Sequence, residues 1–351
     1  MANIKRFHPG VYIKENLIAM EMTAKEFSYR TGISERTLSS IINEKGSITF
    51  DVAYKLSLFF DNSINYWTNL QNQYDIYINE KTKEKELKEE IKLFNSIKKY
   101  LFILGFISTD DSKETNINRC RSLVGVNSLT LLCKEDSFVC LKEQHIQNKT
   151  DCFFQNFWIA LALNEARKKN GIPFNKELLK NSIQEIRKMT IQDPMIFYPR
   201  LQELLSQCGI SFILLPYLSK SNIYGVTKWF SKDNVMLAIS NRSEKADLFW
   251  FTLFHEISHV LMEHRRETLF NIEGNLDEEA DKMAEDMLIA RNDWNEFISE
   301  EYFTEESIRK FANKIGIHPC IVLGRLHKEK KVPYNELNKY FNLNYQINYK
   351  S

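Results

Sequence analysis

Residues 251–264 read FTLFHEISHVLMEH, and the reading of this stretch decides the carboxy-terminal fold. Residues four apart lie on one face of a helix, so His255 and His259 can reach one ion, with Glu256 beside them. The flanks agree: Leu248, Phe251, Leu253, Phe254, Ile257, Val260 and Leu261 recur with the period of an amphipathic helix over 246–262. The longer pattern HExxHxxGxxH is not met, because Met262 stands at its glycine and Arg265 at its third histidine. His264 follows His259 by five residues, about 140 degrees round a helix, and so points elsewhere. A third metal ligand has to come from another element.

The candidate element is NLDEEADKMAEDMLIA at 275–290. Leu276, Ala280, Met283, Ala284 and Met287 mark a buried stripe, with Glu279 on one flank, Asp281 on the other and Glu278 nearly opposite. Glu279 can face a site at the edge of the core, and Asp281 can orient a ligand histidine from behind. Glu278, Glu285 and Asp286 read as a solvated face. Upstream, the helix YPRLQELLSQCG ends in glycine and delivers the strand ISFILLPYL. YGVTKWF and NVMLAIS read as two more strands. NVMLAIS is the strand expected to take an extended peptide by β-augmentation.

In the amino-terminal stretch TAKEFSYRTGISERTLSSIINEKGS (23–47), Thr23 with Glu26 forms a capping-box signature and Ser34 caps a second helix. Gly32 supplies a left-handed turn residue, and Phe27, Ile33, Leu38, Ile41 and Ile42 fall where two short helices touch. The second helix presents Glu35, Arg36, Thr37, Ser39, Ser40 and Asn43 outward. Such side chains suit base-edge and phosphate contacts in a major groove. Lys25, Arg30, Arg36, Lys45 and Lys55 are nearly offset by Glu26, Glu35, Glu44 and Asp51, so the residues alone leave a plain helical hairpin and a DNA-binding helix-turn-helix both open.

Between these ends, the charged run NEKTKEKELKEEIKLFNSIKKYL predicts a connecting helix with Ile91, Leu93, Phe94 and Ile97 on its apolar face. DCFFQNFWIALALNEARKKNG predicts a helix stopped by Gly171, with Phe153, Phe154, Phe157, Trp158, Leu161 and Leu163 as core. The chain has 351 residues, which suggests two or three domains, and 43% hydrophobic with 26% charged residues is a folded, soluble balance. A formal net charge of +1 steers nothing by itself. The start lacks a signal-peptide apolar stretch, no run reaches membrane-spanning length, and the six cysteines form no CxxC pair. The expectation is a cytoplasmic protein with reduced thiols and no membrane partner. The expected fold class is mainly α with a small β-sheet (α+β), divided as 1–78, 79–110, 111–194 and 195–351.

FHPGVYIKENL, the helix-turn-helix, ITFDVAYKLSLFF and NYWTNLQNQYD together resemble the domain of HigA-type antitoxins and related Xre-family repressors over residues 7–77. That resemblance implies operator DNA bound as a homodimer, with a toxin as a frequent partner, and puts Arg36, Thr37, Ser39, Ser40 and Asn43 at the recognition-helix positions. ISFILLP, the YGV step, FTLFHEISHVLMEH and EEADKMAEDMLIA resemble the ImmA/IrrE family of zinc metallo-endopeptidases over about residues 195–330. This implies a gluzincin-type zincin domain holding Zn2+ by His255, His259 and Glu279, with Glu256 as catalytic base and a repressor or antitoxin-type regulator as substrate. Three positions depart from that family: Asp281 stands where asparagine is common, Trp250 where many members have arginine, and Ala290 with Arg291 where a proline often ends the helix. The late segment IRKFANKIGIHPCIVLGRLHKEK is similar to the tail of members fused to an Xre domain. The expected function is a DNA-binding regulator with a zinc-dependent endopeptidase. The alternative is a non-enzymatic antitoxin or repressor whose zinc domain senses a ligand or binds a toxin.

Overall fold

The computed structural model describes residues 6–134, 149–169, 171–263 and 276–345, and the chain divides into two compact units, Met1–Ile91 and Lys92–Ser351. Arg265, His264 and Cys140 lie outside the described residues.

The first unit is built from α1 (Pro9–Ala19), α2 (Ala24–Thr31), α3 (Glu35–Ile42), α4 (Phe50–Phe60) and the start of α5 (Ile64–Ile103). Each short helix starts on a side-chain cap. His8 Nδ1 accepts the Gly10 N–H (3.0 Å), Thr23 accepts from Glu26, Ser34 from Thr37 and Thr49 from Val52. The Glu26 carboxylate pairs with Arg30 at 2.7 Å, one turn away. Gly32 ends α2 at φ 66°, the left-handed conformation that a side chain would strain. Phe27, Ile33, Leu38 and Ile41 are buried against Ile13, Leu56 and Trp67, and Ile42 packs on this core half-buried.

Several residues of the stretches that carry the HigA-like resemblance, Pro9, Gly10, Trp67 and Gln71 among them, are buried and used for packing. Pro9 occupies the first turn of α1, and a Cβ on Gly10 would overlap the Ile41 carbonyl group, only 2.7 Å from its carbon. Glycine is therefore what lets α1 cross α3 at backbone distance. Trp67 donates to Asn62 (2.8 Å), Gln71 accepts the Ile48 N–H (2.9 Å) and donates to Asp75 (2.9 Å), and the Tyr74 ring meets His8 edge-on.

The second unit contains α6 (Lys113–Val124), α7 (Lys149–Lys168), α8 (Lys176–Lys188), α9 (Pro194–Gln207), strands β1 (Ile210–Leu215), β2 (Gly225–Trp229) and β3 (Val235–Ser240), then α10 (Ala246–Leu261), α11 (Leu276–Leu288), α12 (Arg291–Ile298), α13 (Glu305–Ile315), α14 (Pro319–Lys328) and α15 (Asn338–Phe341). The sheet order is β1-β3-β2, with β1 parallel and β2 antiparallel to β3. This corrects the expectation for NVMLAIS. Ladder partners occupy both of its sides, Ile210–Leu215 on one and Gly225–Trp229 on the other, so β3 has no edge to offer a peptide.

The expected core of α7 is buried, Phe153 through Leu163, and Trp158 Nε1 and Tyr100 Oη both donate to the Pro216 carbonyl after β1. Leu179 and Ile186 of α8 share one core with Phe212, Leu237, Phe254 and Ala284, which covers the amphipathic face of α8.

Candidate functional site

In the first unit, the exposed side chains at the start of α3 are Glu35, Arg36, Thr37 and Ser39. The Thr37 hydroxyl lies 2.8 Å from the Ser34 cap. Two of the expected contacts sit differently from a uniform helix face. Ser40 is half-buried, with the Gly46 turn packed against it, and Asn43 is the C-cap residue, its Nδ2 donating to the Ser39 carbonyl at 2.8 Å. Arg36 is left as the exposed cation of this surface, where it can meet a phosphate or a guanine edge.

In the second unit, α10 carries HEISH because its other face is core: Phe249, Trp250, Leu253, Phe254, Ile257 and Val260 are all buried. Its first turn is tied to the late chain. Ala246 donates to the Leu343 carbonyl, and the Trp250 indole donates to the Tyr345 hydroxyl at 2.9 Å in a fully buried contact. That contact is the local role of Trp250.

His255 and His259 stand one turn apart with their Nε2 atoms 3.0 Å from each other. Two nitrogens bound to one tetrahedral zinc at about 2.0–2.1 Å stand about 3.3 Å apart, so this pair fits a shared ion with little adjustment. Behind His255, Nδ1 lies 2.8 Å from Asp281 Oδ1. An ionised carboxylate only accepts, so the ring donates there and keeps the Nε2 lone pair for a ligand. Asp281 is held in turn by Lys328 of α14 at 2.9 Å, and Lys328 reaches Glu285 at 2.9 Å and lies over the Phe251 ring. Burial pushes the Asp281 carboxyl up, but the contacts with His255 and Lys328 together bring it below the ordinary carboxylate value, so it is charged at neutral pH.

Glu256 is 6% exposed and faces β2. A Cβ on Gly225 would come within 2.7 Å of Glu256 Oε1 and 2.8 Å of the Thr252 methyl, so the glycine of the YGV step leaves the space that this carboxylate occupies. Thr227 Oγ1 donates to the Glu256 carbonyl at 3.1 Å and pins the same helical turn to the strand.

The carboxylate helix α11 approaches α10 through small residues, Ala280 and Ala284, both fully buried. Its neighbouring positions 281 and 285 turn toward α10 and α14, whereas Glu278 and Glu279 are exposed. Asp281, rather than Glu279, is the α11 carboxylate in contact with His255. Among the described residues, no three His, Cys, Asp or Glu side chains are gathered closely enough to hold a metal as they stand. His318 caps α14, accepting the Cys320 N–H at 3.2 Å, in the same His-Pro arrangement as at α1. Lys328, Thr227 and Tyr345 escaped the sequence reading, and no short-range signal marks them. The YGV step was the trace of Gly225.

A helix-turn-helix family model matches residues 13–67. The HTH-type transcriptional regulator YddM of Escherichia coli is 35% identical over 82 residues, 23% of this chain and 85% of its own length. Virulence-associated protein A' of Dichelobacter nodosus is 37% identical over 70 residues, 20% of this chain and 61% of its own length. Among solved structures, an addiction module antidote protein of a HigA family from Coxiella burnetii is 32% identical, with a TM-score of 0.23, covering 25% of this chain and 96% of that one.

Proposed function

This chain belongs to the helix-turn-helix family, and we propose that it is a DNA-binding regulator whose second unit is a zinc-dependent endopeptidase acting on a regulatory protein. For the first unit, α3 lies in the major groove of operator DNA, with Arg36, Thr37 and Ser39 toward bases and phosphates.

For the second unit, the observation that carries the reading is the histidine pair: two Nε2 atoms 3.0 Å apart, with a charged carboxylate on the far nitrogen of His255. His255 and His259 would hold the zinc, with Glu279 as the candidate third ligand. Zinc, when held there, supplies a Lewis acid that acidifies water and polarises a peptide carbonyl. Glu256 takes a proton from the attacking water on its carboxylate and hands it to the leaving amine. Its burial beside Gly225 keeps bulk water from competing for that proton. Asp281 fixes the tautomer and ring plane of His255. An extended substrate adds to β2, the strand that ends the sheet next to Glu256.

Zinc per chain, measured for the parent and for His259→Ala, Glu279→Ala and Glu278→Ala, tests the site. The expected result is near one ion in the parent, lost with the first two changes and kept with the third. Cleavage of a co-encoded repressor or toxin, present in the parent and absent in a Glu256→Gln variant that retains its zinc, tests the chemistry. Zinc bound with no cleavage and no effect of Glu256→Gln in cells returns the protein to the second reading, a non-enzymatic antitoxin or repressor with a sensing or toxin-binding domain.

A further inference from the structure

A cavity of about 310 Å3 opens between α10, α11 and α14, and none of its wall residues is His255, Glu256 or His259. Leu248, Phe251, Leu288, Ile289 and Ile321 make its apolar lining. That volume sits at the small end of ligand pockets, which begin at about 300 Å3.

The Lys and Arg side chains of the wall each have a hydrogen-bond partner. Lys245 donates to the Tyr334 hydroxyl at 2.7 Å, Arg325 holds Glu329 at 3.0 Å, and Lys328 holds Glu285 and Asp281 at 2.9 Å each. Burial holds His327 below its ordinary pKa, so its ring is mainly neutral at pH 7. Asp247 is different. Among the described residues no ion pair joins its carboxylate to a cation, and its side chain lies against α14, where a Cβ at Gly324 would fall 2.9 Å from Oδ2. Burial raises the Asp247 carboxyl, against the backbone N–H groups of the α10 first turn and the charge of Lys245, so this acid is short of solvation. A cation arriving from the cavity supplies the missing partner, and the apolar lining suits a hydrocarbon chain behind it.

We propose that this cavity is a binding site for a primary alkyl-ammonium group, its chain against Phe251, Leu288 and Ile321 and its ammonium on Asp247. The site rests on neither zinc nor peptidase activity. The same head group is offered by a free alkylamine and by a lysine side chain of a polypeptide.

The test titrates the full-length protein with hexylammonium, with 1-hexanol as its uncharged match and with Nα-acetyl-lysine methylamide as the polypeptide form, followed by calorimetry. Hexylammonium or the lysine derivative is expected to saturate one site at least tenfold more tightly than hexanol, and whichever does so identifies the source. Asp247→Asn is expected to weaken the amine about ten- to hundredfold and to leave hexanol unchanged. Leu248→Trp fills the cavity from a position already 37% exposed, so the fold survives while both probes are lost. Amines that bind no better than hexanol, or an Asp247→Asn variant that binds them as the parent does, would overturn the proposal.

Discussion

Replacing Asp281 by alanine removes the acceptor behind His255 while leaving both Nε2 atoms in place. The carboxylate lies 2.8 Å from His255 Nδ1 and 2.9 Å from Lys328, so its loss frees the ring to rotate and to change tautomer. A hydrogen bond to a charged group contributes about 1.5–3 kcal/mol. That corresponds to a zinc affinity lower by about 10- to 100-fold, the usual cost of losing an outer partner of a metal-bound histidine. Asparagine keeps an oxygen that accepts from Nδ1 but loses the charge. Since a neutral bond is roughly half as strong, Asp281→Asn is expected to cost about three- to tenfold. The assay is competition for zinc between the full-length protein and a chromophoric chelator at pH 7.5, with circular dichroism to confirm an unchanged fold. An Asp281→Ala affinity within twofold of the parent refutes the orienting role. Loss of binding as complete as in His255→Ala refutes it in the other direction, because Asp281 would then be a ligand itself.

Three further outcomes follow from particular contacts. Gly10→Ala forces α1 away from the Ile41 carbonyl, and overpacking of this kind costs about 1–3 kcal/mol, more than the helix propensity that alanine adds; a lower urea midpoint for the first unit and weaker operator binding are expected, and an unchanged midpoint would refute the close crossing. His8 is held below its ordinary pKa, mainly by burial, and its Nδ1 accepts a hydrogen bond. The folded unit therefore binds fewer protons than the unfolded chain, its stability is complete above about pH 6.5, and stability is lost as pH falls through the lowered folded value. The urea midpoint of the first unit should fall between pH 7 and pH 5 in the parent and stay level in His8→Asn, which keeps a capping oxygen. Gly225→Ala crowds Glu256 without touching the histidines; cleavage is expected to drop about tenfold to a hundredfold while zinc per chain is unchanged, and joint loss of both would show that the crowding reaches the metal ligands.

What the amino-acid sequence determined by itself is what depends on neighbours within a turn or a strand. The spacing of His255 and His259, the apolar period of Phe254, Ile257 and Val260, the caps Ser34 and Thr23 and the strand runs ISFILLP and NVMLAIS are local, and all appear where expected. The buried core of α7 was legible for the same reason, since Phe153, Phe157 and Trp158 recur at helical spacing. Strand order was not legible. Sequence order placed NVMLAIS last before α10, and only the crossover that pairs β1 with β3 shows it to be the central strand. The place of Asp281 behind His255 was legible from its flank of the α11 stripe, but not how the helix is seated. Glu279 and Asp281 flank one stripe almost symmetrically, and the side that meets His255 depends on how Ala280 and Ala284 seat the helix and where α14 brings Lys328, contacts between residues 26 and 47 positions apart. The HPG opening shows the same division: sequence marks a helix start at Pro9, but Gly10 is required by a carbonyl on a helix some thirty residues away. Local pattern sets which elements form, and close approach between distant elements decides which side chains become a site.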